Sequence, residues 1–420
     1  MNLNSIINIF DKKWVFFYII LYISLIISFI IGENSTGGAI KDYINQKSIS
    51  ADFSNRFYDT LFSYDKYNTR HSPVLTIFLS FFEKLNFNDF FIRFIHLNLC
   101  LILPIYFFKS INLIIKNKTI TFFLVSLIFI SPTFRTLSIW PDSRLLGLVF
   151  FTISIYEYLK FNQSRKFINC LKNIIFLSLS AYISPNFSLF SLFYFIKFAT
   201  YYKQDLKKIL LIITINIVLS LPAFIYLFSL KTNFLTTAAV LNQNSNSIFL
   251  LGNILNNTLL IFSIIFFYII PFVILKIFNL NLKKNTIKTL ILSVSLFLLC
   301  VLNFDYKYEY TGGGIFFKLF YVFLETKFLF FLILLVSIYF VFLLTNLKFD
   351  NLLLVVILIL SNPQITIYHK YYDPLLLILF FTLFNIQINI KNFEIYKTKF
   401  FIFLYFLIFL IANNLKSYVL

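Results

Sequence analysis

The sequence predicts an all-α, polytopic membrane protein of about thirteen transmembrane helices, and three observations carry that expectation. Of 420 residues, 60% are hydrophobic and 13% charged, with a mean hydropathy of +0.85; soluble domains are about 45–50% apolar and about a quarter charged. Apolar windows able to cross a ~30 Å bilayer core recur along the chain. Lys and Arg collect in alternate segments between those windows. This pattern excludes a soluble enzyme, a disordered chain and a nucleic-acid module. The net charge of +19 is therefore read as topological, because basic residues gather on the cytoplasmic side of membrane proteins.

The windows fall near 14–32, 90–108, 119–134, 144–160, 169–184, 186–202, 208–230, 256–275, 287–303, 328–346, 351–368, 372–388 and 399–413. The first, opening at Trp14, is too long for a signal-peptide core and is followed by no small-residue cleavage site, so it reads as a retained span. Only Ser184-Pro185-Asn186 separates two of the windows, which predicts a tight hairpin or one broken helix. The whole of 1–420 reads as a single integral membrane domain.

Charge fixes the register. With Lys12 and Lys13 inside, the inner segments are 1–13, 109–118, 157–172, 197–208, 276–288, 347–350 and 389–399. They carry 21 Lys and Arg against five carboxylates, a net +16, and leave +3 for the rest of the chain. One miscounted span would scramble that asymmetry. The expected orientation is N-terminus inside and C-terminus outside.

Chemistry then belongs outside. Twelve of the seventeen carboxylates and all three His lie beyond the inner segments. The largest outer segment, 33–89, holds Glu33, Asp42, Asp52, Asp59, Asp65, Arg56, Arg70 and His71. The others are 131–143 (SPTFRTLSIWPDS), 231–255, 304–327 (with Gly312-Gly313-Gly314) and 361–371 (SNPQITIYHKY). Soluble nucleotides are absent from that side, so an activated substrate has to arrive attached to lipid.

Within 33–89, a Gly-Gly pair past the first helix gives an unhindered backbone, and Asp42-Tyr43 follows. About thirty residues later Arg70-His71-Ser72-Pro73 precedes an amphipathic stretch, 74–85, suited to the membrane interface. Asn88-Asp89 and Arg93 mark the mouth of the second span.

This order resembles the GT-C superfamily of lipid-dependent glycosyltransferases, in its protein mannosyltransferase and aminoarabinose transferase branch. Asp42-Tyr43 stands at the family's acidic element, His71-Ser72-Pro73-Val74 at its His-x-Pro element, and Asn86 to Arg93 at the entry to its second span. Tyr43 replaces a second acidic residue, and Asn86 a glycine. Trp140-Pro141-Asp142-Ser143-Arg144-Leu145-Leu146 resembles the turn opening the family's fourth span, and Tyr368 to Pro374 an Arg-Tyr-x-x-Pro element. The motif similarity is strongest over 14–160. It implies a GT-C-like fold and a polyprenyl-phosphate sugar donor, with a glycan, lipid or protein as acceptor and membrane lipids around the chain.

Sugar transfer from a lipid phosphate needs a base for the acceptor proton and cations for the departing phosphate. Asp42 is the expected base. Arg70, His71, Arg144 and Lys370 are the expected phosphate contacts, with Tyr43, Asp142 and His369 supporting them. Each has a plainer reading. Arg93 and Arg144 can snorkel to headgroups, Asp142 can cap the next helix, His96 can bridge helices, and His369 can anchor with Tyr368, Tyr371 and Tyr372 at the interface. The glycine triplet lacks a phosphate-loop pattern and reads as a hinge in an outer loop able to act as a lid. Cys100, Cys170 and Cys300 are scattered in apolar runs and suggest neither disulfide nor metal. The sequence identifies no metal ligand set and no certain cofactor; a divalent metal is compatible with the chemistry.

Two other functions compete. A polysaccharide polymerase or ligase of the O-antigen class shares the many spans, but concentrates basic residues in loops of its second half. A lipid-linked sugar flippase or transporter needs ionisable groups at span centres, and these spans have almost none.

Overall fold

In the computed structural model, residues 12–67, 69, 71–229, 251–280, 286–307, 312–364 and 366–419 are described. They form helices throughout. Among them the only β-pairing is one isolated antiparallel bridge, Phe278 with Ile388. The helices that frame the argument are α1 (Lys12–Ile31), α2 (Ala39–Asn55), α3 (Pro73–Lys84), α4 (Asp89–Cys100), α5 (Ile102–Ile114), α6 (Lys118–Phe129), α7 (Pro132–Ile139), α8 (Ser143–Ser164), α9 (Phe167–Ile183), α10 (Phe190–Tyr201), α11 (Leu206–Ser229), α12 (Leu251–Ile274), α13 (Thr286–Val301), α14 (Lys327–Thr345), α15 (Phe349–Leu360), α16 (Leu375–Phe380) and α17 (Tyr396–Val419).

Among the described residues, five helices are long and apolar enough to cross a membrane: Asp89–Ile114, Leu206–Phe228, Asn253–Ile274, Lys327–Thr345 and Tyr396–Leu415. The pair α6–α7, bent by 59°, makes a sixth if counted as one span. Phe16–Ile31, Phe167–Ile183, Thr286–Val301 and Phe349–Leu360 are apolar but shorter. Asn253–Ile274 is the central element, with 83% of its apolar window buried, whereas Leu206–Phe228 has 6% buried and lies at the periphery.

Helices fill most of the expected windows, but not 351–368 or 372–388. Window 372–388 holds only α16, six residues long, about 9 Å of helix at 1.5 Å per residue. It does not cross as a helix on its own. Residues 375–384 are buried throughout, and irregular backbone at membrane depth is tolerated where protein surrounds it. Helix α15 likewise stops at Leu360, just ahead of Ser361-Asn362-Pro363, because the residue before a proline is pushed out of helical geometry.

Polar contacts join segments expected inside to one another, and segments expected outside to one another or to a span end. On one side Gln163 Nε2 donates to the Leu113 carbonyl at 2.8 Å and Asn117 Nδ2 to Glu394 Oε1 at 2.6 Å. Asn392 Nδ2 donates to the Lys276 carbonyl at 3.2 Å, and Lys197 pairs with Asp350. On the other, Arg135 Nε meets Glu33 Oε2 at 2.9 Å, Ser35 and Thr136 hydroxyls lie 2.7 Å apart, and Asn256 pairs with Asp305. The Gly313 amide donates to the Ile367 carbonyl at 2.8 Å.

The first outer segment is folded rather than extended. Helix α2 buries Ala39, Tyr43, Gln46, Ser50 and Phe53, one stripe at helical spacing, against α3. Helix α3 opens on Ser72, whose hydroxyl accepts from the Val74 amide, and buries Leu75, Thr76 and Leu79. Its amphipathic pattern therefore serves packing on α2 as well as an outward face bearing exposed Phe81.

Candidate active site

Four structural devices bring distant side chains together. Asp42 lies in the first turn of α2. His71 sits just before the Ser72 cap, its backbone held on both sides: its amide donates to Thr69 Oγ1 at 3.2 Å and its carbonyl accepts from Tyr64 OH at 3.0 Å. Asp142 caps α8, with Oδ1 accepting from the Arg144 amide at 2.7 Å, so the capping and site readings of this residue hold together. Lys370 is in a short 3-10 turn, His369–Tyr371.

These residues line one polar cavity of about 130 Å³, together with Ser143, Asn186, Gln364 and Tyr371. Lys370 Nζ is 2.9 Å from Asp42 Oδ2, although 328 residues separate them. His71 Nδ1 is 2.9 Å from Ser143 Oγ. The Arg144 guanidinium lies over the Tyr371 ring, 3.4 Å from its centroid. Tyr371 is braced in turn by its hydroxyl donating to Gln364 Oε1 at 2.8 Å. The Arg144 Nη1 is buried without a hydrogen-bond partner among the described residues. A buried guanidinium N–H with nothing to donate to is costly, and an anion in the cavity would satisfy it.

Burial and neighbouring charge set the protonation of the cavity. Burial pushes His71 below its ordinary value, against the pull of Asp142 and Asp42, so the imidazole is neutral at neutral pH. Burial works against an ionised Asp142, but its surroundings hold the carboxyl below its usual range: His71 whenever that ring is charged, and Lys370, Arg144 and the Arg144 amide throughout. Lys370 is opposed by burial too, yet Asp42 and Asp142 lift it above its ordinary 10.5. The cavity thus holds two carboxylates facing two fixed cations.

A second, larger cavity of about 670 Å³ adjoins the first. It is an apolar groove between α9 and α11 whose lining includes Ser72, Pro73, Tyr182, Pro185, Pro222 and Leu227. Pro185 lines both cavities, and Ser72 follows His71 directly. The Ser72 hydroxyl donates to the Tyr182 carbonyl, locking the mouth of the groove to the loop that carries His71. The peripheral helix α11 forms the outer wall.

Asp42, His71, Asp142, Arg144 and Lys370 are therefore brought together. Arg70 lies outside the described residues. Two supporting residues are placed elsewhere. Tyr43 turns away and donates to Asp89 Oδ1 at 2.6 Å, packing on Trp140, because neighbours in a helix do not share a face. His369 Nε2 meets Tyr268 OH at 3.1 Å, where burial pulls the imidazole down to about 3. Arg93 and His96 fasten α4 to α7: Arg93 Nε donates to the Ile139 carbonyl at 3.1 Å, and His96 Nδ1 lies 3.0 Å from the Ser138 carbonyl.

The sequence reading missed the neutral wall of Asn186, Gln364 and Tyr371, and the brace beneath the site. Asp373 Oδ2 accepts from Ser131 Oγ at 2.6 Å and from the Thr133 amide at 3.0 Å, fixing the start of α7, which runs directly into Asp142. The glycine triplet makes a close turn against Ile367: a Cβ on Gly312 would sit 2.5 Å from the Ile367 carbonyl oxygen. Only glycine allows that approach at φ +135°. Among the described residues no group of three or more His, Cys, Asp or Glu is arranged to hold a metal ion. Comparison with protein-family models, curated proteins and solved structures returns no match, so the chemistry of the cavity rests on its own residues.

Proposed function

We propose that this chain is a multi-pass glycosyltransferase of the plasma (inner) membrane, with about thirteen crossings in a GT-C-like arrangement. It takes a sugar from a polyprenyl-phosphate donor on the extracytoplasmic side and transfers it to a glycan, lipid or protein. One observation carries the reading: a charged cavity bearing Asp42, His71, Arg144 and Lys370 adjoins a long apolar groove walled by a peripheral helix. That pairing suits an amphiphile with a phosphate at the head of an apolar chain. The positive-inside rule supports the orientation, since the cavity lies with the segments poor in Lys and Arg.

In this reading Asp42 takes the proton of the acceptor hydroxyl or amine as it attacks the anomeric carbon with inversion. The bond from that carbon to the phosphate oxygen breaks, and the charge left on the lipid phosphate is met by Lys370 and Arg144. Guanidinium and ammonium groups aimed at a departing phosphate are worth more in a dry site than in water. The Lys370–Asp42 contact fits both roles, because a phosphate drawing the ammonium away frees the carboxylate beside the acceptor.

The test is transfer from radiolabelled polyprenyl-phosphate sugars in membranes containing the protein. Label should move from the polyprenyl phosphate to a product that separates from it by chromatography in the presence of the wild-type chain, and stay on the donor with Arg144→Gln. A label that ignores the presence of the chain contradicts the proposal.

A further inference from the structure

We propose that His71 takes up one proton when a lipid-linked phosphodiester enters the cavity, making it the counter-charge that the resting site lacks. This rests on the donor class proposed above. Asp42 and Asp142 are offset by Lys370 and Arg144, and all four line the same cavity of about 130 Å³. Lys370 is already on Asp42 at 2.9 Å. A phosphodiester adds one negative charge to a cavity whose described cations, Lys370 and Arg144, are already equalled in number by Asp42 and Asp142, and in partly desolvated surroundings an unmatched charge is expensive.

The imidazole is the one lining group able to change its charge at little cost near neutrality. Its Nδ1 is engaged by Ser143 Oγ at 2.9 Å, while Nε2 makes no hydrogen bond among the described residues. The backbone ties to Thr69 and Tyr64 hold the residue in place. Among the described residues, Asp142 and Asp42 favour protonation of the ring, whereas burial, Arg144 and Lys370 oppose it. An incoming phosphate tips that balance by joining the first pair. His369 cannot substitute, since its ring is directed to Tyr268.

The linkage has a definite sign. Proton uptake on binding makes donor affinity rise as pH falls, by about tenfold per unit between the bound-state and free-state values of His71. A short-chain prenyl phosphodiester of glucose serves as probe, because its phosphate has no ionisation near neutrality. Titration calorimetry of the full chain in nanodiscs, at one pH in two buffers of different ionisation enthalpy, counts the protons. The wild type should take up close to one proton per ligand. His71→Gln should take up none and lose the pH dependence of its affinity. Asp142→Asn, which keeps His71 but leaves the cavity one positive charge in surplus, should also drop toward zero while binding more tightly at alkaline pH. Binding by the wild type with no proton exchanged, or unchanged uptake in either variant, overturns the proposal and leaves the donor class standing. Failure of the probe to bind the wild type at all overturns the donor class, and this proposal with it.

Discussion

Lys370 and Asp42 touch, so neutralising each in turn separates their roles sharply. Lys370→Met removes a charge-assisted contact to the donor phosphate. Such contacts are worth about 1.5–3 kcal/mol, which predicts roughly a tenfold to hundredfold rise in donor Kd. Asp42→Asn works in the opposite direction on binding. At the 2.9 Å separation the bare Coulomb term is ~6 kcal/mol with an effective dielectric near 20. With 35% of the Asp42 side chain and 16% of Lys370 exposed, screening reduces the net worth to about 1 kcal/mol. Freed of its partner, Lys370 should bind the donor up to a few-fold more tightly. Turnover by Asp42→Asn should nevertheless fall by about 10²–10⁴, the usual scale of a lost general base. Donor binding by titration calorimetry and loss of label from the polyprenyl-phosphate donor, measured on the same preparations, give both quantities. Equal weakening of binding by the two substitutions, or wild-type turnover in Asp42→Asn, would refute the assignment.

The buried pair Glu33–Arg135, whose side chains are 5% and 9% exposed, should behave as a unit. Glu33→Gln leaves the guanidinium without its carboxylate and should cost about 3–5 kcal/mol, read as a lower Tm in detergent, while Glu33→Leu with Arg135→Met should recover much of it. Gly147→Ala should destabilise by about 1–3 kcal/mol and weaken donor binding, because the new Cβ would stand 2.8 Å from that of Ser184, beside the cavity wall; an unchanged Tm would mean that the α8–α9 contact yields freely. Tyr43→Phe should leave donor Kd within about twofold, since its hydroxyl serves Asp89 and not the cavity. Lys370 is held above 10.5, so its contribution to stability is complete below that pH and is lost only as pH rises through the raised value. Tm should therefore stay flat from neutral to mildly alkaline pH.

Much of the site was legible because ionisable residues are scarce in this chain and concentrate in a few outer segments. Asp42, His71, Arg144 and Lys370 were separated from the other outer charges, Asp52, Asp59 and Asp65 among them, by their positions in a GT-C-like order of motifs. Their partnership was not legible, since nothing local ties residue 42 to residue 370. Tyr43 and His369 were misplaced for a geometric reason: each adjoins a cavity residue in sequence, and a helical or 3-10 turn sends neighbouring side chains in different directions. Asn186, Gln364 and Tyr371 were hidden by composition, because amides and aromatics are abundant here and single ones carry little signal. The spans were legible as apolar windows, but periodicity alone does not distinguish a crossing helix from the short buried turns around Leu375–Phe380.

The most direct test of the central claim is the side of the membrane on which the cavity opens. Cys100, Cys170 and Cys300 are all buried, so an introduced thiol can be read against a quiet background. Asp65 and Lys391 are both exposed, the first in the segment that carries Asp42 and His71, the second among the basic segments. A membrane-impermeant maleimide should label Asp65→Cys in intact cells and Lys391→Cys only after permeabilisation. The reverse pattern would put the cavity in the cytosol, within reach of soluble nucleotide sugars, and contradict a lipid-linked donor.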